Sequence, residues 1–224
     1  MLPFLKPNQI TCIARGDKRY PCRLNDLYDP PVRLYIDGDL NLLKIPMIAI
    51  VGSRKASFEG LKNAAAFAKE LSQAGLLIIS GLARGIDGAA HQATLQLGPN
   101  HFTMAVCGAG LDVIYPKEHV GLARAIGKQG LLISELPLGT PPKSGHFPRR
   151  NRIIAALSIG VVVIEAAEKS GSLITARLAS ELGREVFAVP GSIRHPFSNG
   201  CHLLIQQGAK LVRNPQEVLE ELVF

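Results

Sequence analysis

The chain has 224 residues, 47% of them hydrophobic and 19% charged, with a formal net charge of +7. This length predicts one large domain, or one domain with a short extension, whose core needs neither disulfide nor metal. The composition excludes disorder, and no apolar run reaches the roughly 18 residues of a membrane span.

Residues 1–45 carry Pro3, Pro7, Pro21, Pro30 and Pro31 and show little helical period. Met1–Lys6 is too short and too broken by proline for a secretion signal, so a soluble cytoplasmic protein is expected. Val32–Ile36 reads as a strand, with a turn at Asp37-Gly38. This segment is expected to add one edge strand to the main sheet, leaving 46–224 as the principal domain.

From residue 47 onward apolar runs begin at Met47, Leu76, Phe102, Leu131, Gly160 and Glu185, spaced 25 to 29 residues apart. Each is aliphatic on both faces, as strands covered on both sides are. The gaps are long enough for crossover helices. Ser57 caps the first, where Leu61, Ala64, Ala65, Ala68 and Leu71 recur at helical spacing before Gly75. Asp87 is expected to cap a second, over 88–97. Further helices are predicted over 117–129, 151–158, 172–182, 201–207 and 215–222. Alternation at this period argues an α/β fold: an extended Rossmann-like, doubly wound, mostly parallel sheet.

Ligands of such sheets bind beyond the carboxyl ends of the strands. The turns there are Gly52-Ser53-Arg54-Lys55, Gly81-Leu82-Ala83-Arg84-Gly85, Gly108-Ala109-Gly110, Ser170-Gly171-Ser172 after Glu165, and Pro190-Gly191-Ser192. Glycine turns feeding helix N-termini make a phosphate-binding rim, or merely tight βα connections. Arg54, Lys55 and Arg84 at the same edge favour the rim. Val113 stands where a dinucleotide fingerprint needs its third glycine, and no P-loop or nucleophile elbow occurs. Cys12, Cys22, Cys107 and Cys201 form no C-x-x-C pair and the histidines no metal-site spacing. No metal or cofactor is therefore expected. With no Trp and 5% aromatic residues, a sugar-binding site or aromatic cage is disfavoured.

Lys143 to Arg152 hold four basic residues and no acid. Arginines at a helix start oppose its dipole, which bound phosphate would offset. Phe147 among them either stacks on a base or anchors the loop. One of Arg149, Arg150 and Arg152 is expected to pair with Glu135 or Glu165, and the others to face ligand.

These blocks, in this order, resemble the DNA-processing protein A (DprA/Smf) family: residues 48–55, 81–91, 147–158, 170–176, 189–192 and 199–209. The resemblance runs over roughly 20–222. It implies a non-enzymatic, homodimeric single-stranded-DNA-binding protein that helps load the recombinase RecA during natural transformation. It places the DNA pocket at Gly52, Ser53 and Arg54, and around Phe147, Arg150 and Asn151, with Arg152 adjoining. Lys143 is the nearest match to a pocket lysine of some relatives, although the loop spacing differs. The flanking helical and winged-helix domains of many relatives have no counterpart in this sequence. Arg84, Arg149, Ser170, Gly171 and Ser172 complete the expected DNA-contacting set.

A nucleotide hydrolase of the lysine-decarboxylase-like phosphoribohydrolase kind is the competing reading, and a nucleotide-sensing module a third. The hydrolases' Pro-Gly-Gly-x-Gly-Thr block is missing at Pro190-Gly191-Ser192-Ile193. Asp87 and Glu165 are the only acids at the ligand edge, and an N-cap and a basic side chain's partner are their expected roles. Finally, Leu203, Leu204 and Ile205 span about 200° of a helix, more than one sheet-facing stripe covers. The surplus is expected to face a second subunit or to lie under the C-terminal helix.

Overall fold

A computed structural model describes residues 10–222. Met1–Lys6, read above as no secretion signal, lies outside the described residues. Nine strands form one sheet: β1 (Thr11–Ala14), β2 (Arg33–Gly38), β3 (Met47–Val51), β4 (Leu77–Ser80), β5 (Thr103–Val106), β6 (Leu131–Ser134), β7 (Gly160–Val163), β8 (Glu185–Ala188) and β9 (Lys210–Leu211). Their spatial order is β1-β2-β6-β5-β4-β3-β7-β8-β9. β2 pairs antiparallel with β1 and β6, and all other pairings are parallel. β3 through β7 are buried along their whole length, which explains their unbroken aliphatic runs.

The helices are α1 (Phe58–Gln73), α2 (Ile86–Leu95), α3 (Val120–Gln129), α4 (His146–Leu157), α5 (Gly171–Glu181), α6 (Asn199–Gln206) and α7 (Pro215–Leu219). Side chains alternate across the sheet, so it carries two cores. Met47, Ala49, Val51, Leu77 and Ile79 face α4, α5 and α6. Ile48, Ile50, Ile78, Val162 and Phe187 face α1, α2 and α7. Leu132 and Ala105 continue the second face beneath α3. Winding leaves β3 in one direction and returns through β7 in the other. The strand order therefore reverses between β3 and β7, where a crevice opens beyond their carboxyl ends.

Three local expectations are corrected. The N-terminal extension adds two strands instead of one, and β2 runs through Asp37-Gly38, which pairs with Leu132 and Leu131. The extension also buries Tyr20, Leu24 and Leu27 in the core under α4. α2 begins at Ile86, so Asp87 lies inside it and does not cap it. α4 begins at His146, more than a turn before Asn151, so its arginines ride the helix instead of preceding it. Pro148 falls in its first turn, where a missing N–H costs nothing.

α7 packs against the α1 face, through Val218, on the side of the sheet opposite α6. It therefore does not cover α6, the alternative left open above. Leu204 is buried in the monomer core, leaving Leu203 and Ile205 as the half-buried members of the trio. The exposed Ile174 of α5 lies in the same shallow groove as Leu203.

Candidate functional site

A cleft of about 690 Å³ occupies the crevice at the strand-order reversal. Nine of the sequence-predicted residues line it: Gly52, Ser53 and Arg54 from the β3 turn, Phe147, Arg150 and Asn151 from α4, and Ser170, Gly171 and Ser172 at the start of α5. The other four lie outside its lining. Lys143 is exposed on the loop before α4. Arg84 borders a smaller neighbouring pocket and is ion-paired with Glu118. Arg149 and Arg152 turn away toward acids.

Local rules place each side chain. Ser53 Oγ accepts from Lys55 N at 3.1 Å, which closes the turn and leaves Arg54 and Lys55 exposed at its tip. Ser53 N donates to the Glu165 carbonyl at 2.7 Å and so ties β3 to β7. Gly85 packs against this turn so closely that a Cβ there would lie 2.2 Å from the Ser53 carbonyl oxygen. At α5, Ser170 caps the helix by accepting from Ser172 N. Asn151 Nδ2 donates to Gly171 O at 3.1 Å and holds this cap to α4.

Arg54 stands 5.5 Å from the centroid of the Phe147 ring, and Tyr115 lies 5.3 Å from the same ring on a tilted plane. Cation and aromatic faces thus meet at the cleft mouth, a geometry suited to stacking a base beside its phosphate. Phe147 rests on Gly108, where a Cβ would come within 2.8 Å of the ring. The Gly108-Ala109-Gly110 turn therefore supports the aromatic and is not part of the cleft wall. Pro190-Gly191-Ser192 lies outside the lining as well.

The arginines divide in an unexpected way. Arg152 pairs with Glu135 at 2.6 Å, and Arg149 reaches both Glu135 and Asp29, each at 3.4 Å. Two arginines, not one, thus serve the acid pair that joins α4 to the N-terminal extension. Arg150 has a third role. Its guanidinium is buried and donates to the carbonyls of Gly81 and Val106, at the carboxyl ends of β4 and β5, and to Asn151 Oδ1. It seals strand ends beneath the cleft floor. Burial lowers its pKa, although the Asp87 charge opposes this.

Both edge acids carry structural duties. Glu165 accepts from the backbone and hydroxyl of Ser57, not from a basic side chain as expected, and so pins the start of α1 to β7. Asp87 accepts from Gly81 N at 3.0 Å and Ala83 N at 3.4 Å, organising the β4 turn. Burial raises its pKa against the pull of Arg150 and those N–H groups. Burial also pushes the Cys107 and Cys201 thiols up to about 12, outside the nucleophilic range. No cluster of three metal-ligating side chains occurs among the described residues. Two aromatic cleft residues escaped the sequence reading: Tyr115, and Phe197 from the loop before α6. Only a Tyr-Pro step hinted at the first.

The family model for DNA recombination-mediator protein A matches residues 11–223. DNA processing protein DprA of Streptococcus pneumoniae is 52% identical over 208 residues, covering 93% of this chain and 73% of that protein. Its X-ray structure superposes with a TM-score of 0.92 at 49% identity, over 99% of this chain and 76% of that one. Protein Smf of Escherichia coli is 51% identical over 213 residues, 95% of this chain but only 56% of the relative. A structure of DNA processing protein A from Helicobacter pylori, described for its single-stranded DNA binding mode, gives a TM-score of 0.85 at 31% identity, covering 95% and 94%.

Proposed function

The chain belongs to the DNA recombination-mediator protein A family, and on that premise we propose that it binds single-stranded DNA in the cleft at the strand-order reversal. One observation carries the reading: Arg54 and Phe147 form a cation–aromatic pair at the mouth of a cleft whose rim is basic. Phosphates would meet Arg54 and Lys55, and an unstacked base would lie on Phe147. A closed duplex offers no free base face to such a platform. The protein acts by binding and not by turnover, since hydrogen bonds to Ser57 and to Gly81 and Ala83 occupy the two edge acids.

The reading extends to loading RecA on the bound strand, to a cytoplasmic location and to 46–224 as the binding domain, with 1–45 packed on it. No helix of the described residues is long and apolar enough to cross a membrane. A homodimer through the exposed side of α6, on Leu203 in the α5–α6 groove and on the half-buried Ile205, would carry two clefts and raise avidity for a long strand. Its test is the sedimentation mass of the wild type and of Ile205→Glu against the 24.0 kDa chain mass. A monomeric wild type at micromolar concentration sinks the dimer.

The DNA reading itself is tested by titrating labelled single-stranded and duplex oligonucleotides of one length across a salt series. Tighter single-strand binding, weakening steeply with salt as counterions are released, is expected. Equal affinity for both forms at moderate salt refutes it.

A further inference from the structure

The pole of the sheet opposite the strand cleft holds a larger concavity, about 970 Å³, beyond the amino ends of β3 and β7. Its floor is aliphatic. Met47 and Leu157 are buried there, while Leu43, Ile45 and Ile159 are half-buried and still open to water. Its walls are the 18–23 segment of the N-terminal extension and the short 3-10 helix Leu40–Lys44 that leads from β2 to β3. The lining reaches from Thr11 on the edge strand β1 to Ile159 at the foot of β7. That span and volume suit an extended chain segment better than a compact metabolite.

The rim is basic, and most of its charge is unanswered from within the chain. Lys18, Arg19, Arg23 and Lys44 line the concavity and are exposed, and Asp39 is the only acid among the described lining residues. The strand cleft, by comparison, has three cations and one acid in its lining. Arg19 is ion-paired with Asp17 at 2.7 Å. Asp39 is engaged by Asn41, whose backbone N and Nδ2 both donate to its Oδ1. Among the described residues Lys18, Arg23 and Lys44 have no acid partner, and Arg23 makes only a long bond, 3.5 Å, to the Ser158 carbonyl.

The same surface is poorly made for nucleic acid. Its aromatic ring, Tyr20, is buried with its hydroxyl donating to the Pro31 carbonyl at 2.7 Å, so no ring face is offered to a base. At the start of Leu40–Lys44 the Asp39 carboxylate already holds the position a phosphate would take. Uncompensated cations around an open aliphatic floor call for a ligand that is both anionic and apolar.

We propose that this concavity docks an acidic peptide segment of a partner protein, with carboxylates on Lys18, Arg23 and Lys44 and aliphatic side chains on Leu43, Ile45 and Ile159. Burial of the aliphatic anchors supplies affinity, and the cations set orientation and encounter rate. The strand cleft lies at the other ends of the strands, so a DNA strand and the partner can be held at once.

Two exposed thiols report on the site: Cys22 lines the concavity and Cys12 does not. A labelled peptide alternating aspartate and leucine is titrated by fluorescence anisotropy. Alkylation of both cysteines by iodoacetamide is followed by mass spectrometry with and without the peptide. Binding is expected to slow alkylation of Cys22 several-fold and to leave Cys12 unchanged. Lys18 and Lys44 make no side-chain hydrogen bond or ion pair among the described residues, so the double variant Lys18→Glu, Lys44→Glu keeps the fold. It is expected to weaken the peptide roughly tenfold or more at an unchanged melting temperature, with oligothymidylate binding in the strand cleft kept. A peptide with serine in place of leucine is expected to bind about tenfold more weakly or worse. Unchanged Cys22 alkylation, wild-type peptide affinity in the folded double variant, or equal affinity for the serine peptide each overturns the proposal. So does protection of Cys22 by oligothymidylate and not by the peptide, which would make the concavity a nucleic-acid surface.

Discussion

Arg150→Met separates the frame of the site from its ligand contacts. The arginine side chain reaches the Gly81 and Val106 carbonyls from below the cleft and is itself buried. Methionine keeps much of the volume and removes both donors. Each buried acceptor left without a partner costs about 1–3 kcal/mol. Two of them predict a loss of roughly 2–6 kcal/mol, a large share of the 5–15 kcal/mol that typically holds a domain together. Asn151 also loses a partner, and Asp87 loses the nearest charge opposing its burial. The damage is therefore expected in stability first and in DNA binding only as the cleft loses its shape. Urea unfolding followed by circular dichroism gives the first quantity, and titration of the folded fraction the second. Arg150→Lys is expected to fall between, because an ammonium cannot reproduce the fork that serves both strand ends. An Arg150→Met protein with wild-type stability and no DNA binding would refute this account and place the guanidinium on the ligand.

Arg54→Ala is the converse experiment. The side chain is exposed and touches only the Phe147 ring among its described contacts, so affinity should fall by roughly 1.5–3 kcal/mol at unchanged melting temperature. Gly60→Ala tests the Glu165 latch. Its Cβ would lie 2.4 Å from the Glu165 carboxyl carbon, so a net loss of about 1–2 kcal/mol in urea unfolding is expected even though alanine normally favours a helix by up to about 1 kcal/mol. A stabilised Gly60→Ala would show that the carboxylate yields without cost. His91 sets an acid limit. Its ring is fully buried, Nδ1 bonds Thr103 Oγ1 at 2.6 Å, Nε2 has no partner among the described residues, and burial lowers its pKa to about 3. The unfolded chain therefore takes up this proton near pH 6.5 and the native chain does not. The His91 contribution is full above pH 6.5 and is lost on acidification toward pH 3, with a limiting slope of about 1.4 kcal/mol per pH unit. His91→Gln should remove that slope between pH 7 and 5, and equal slopes in the two proteins would refute the assignment.

The central parallel strands are readable from sequence because both their faces are buried, which favours aliphatic residues on both faces and needs no knowledge of neighbours. β1 escapes this logic. As an edge strand it buries Ile13 alone, and its other three residues give no periodic signal. The start of α4 escapes for a different reason: Pro148 and the flanking charges read as a loop, yet proline is harmless in a first turn. The site divides along the same line. Gly52 to Arg54 and Ser170 to Ser172 are visible because turn chemistry is local. The separate duties of Arg149, Arg150 and Arg152 are not, since each is decided by acceptors far away in the chain, at Asp29, Gly81, Val106 and Glu135. Charge alone cannot distinguish an arginine that completes a sheet edge from one that awaits a phosphate. The difference lies in whether backbone carbonyls already fill its fork. Arg54 has an open fork and Arg150 a filled one, and the proposed function depends on both: the buried arginine fixes the floor, and the exposed one and Phe147 stand over it where a strand would lie.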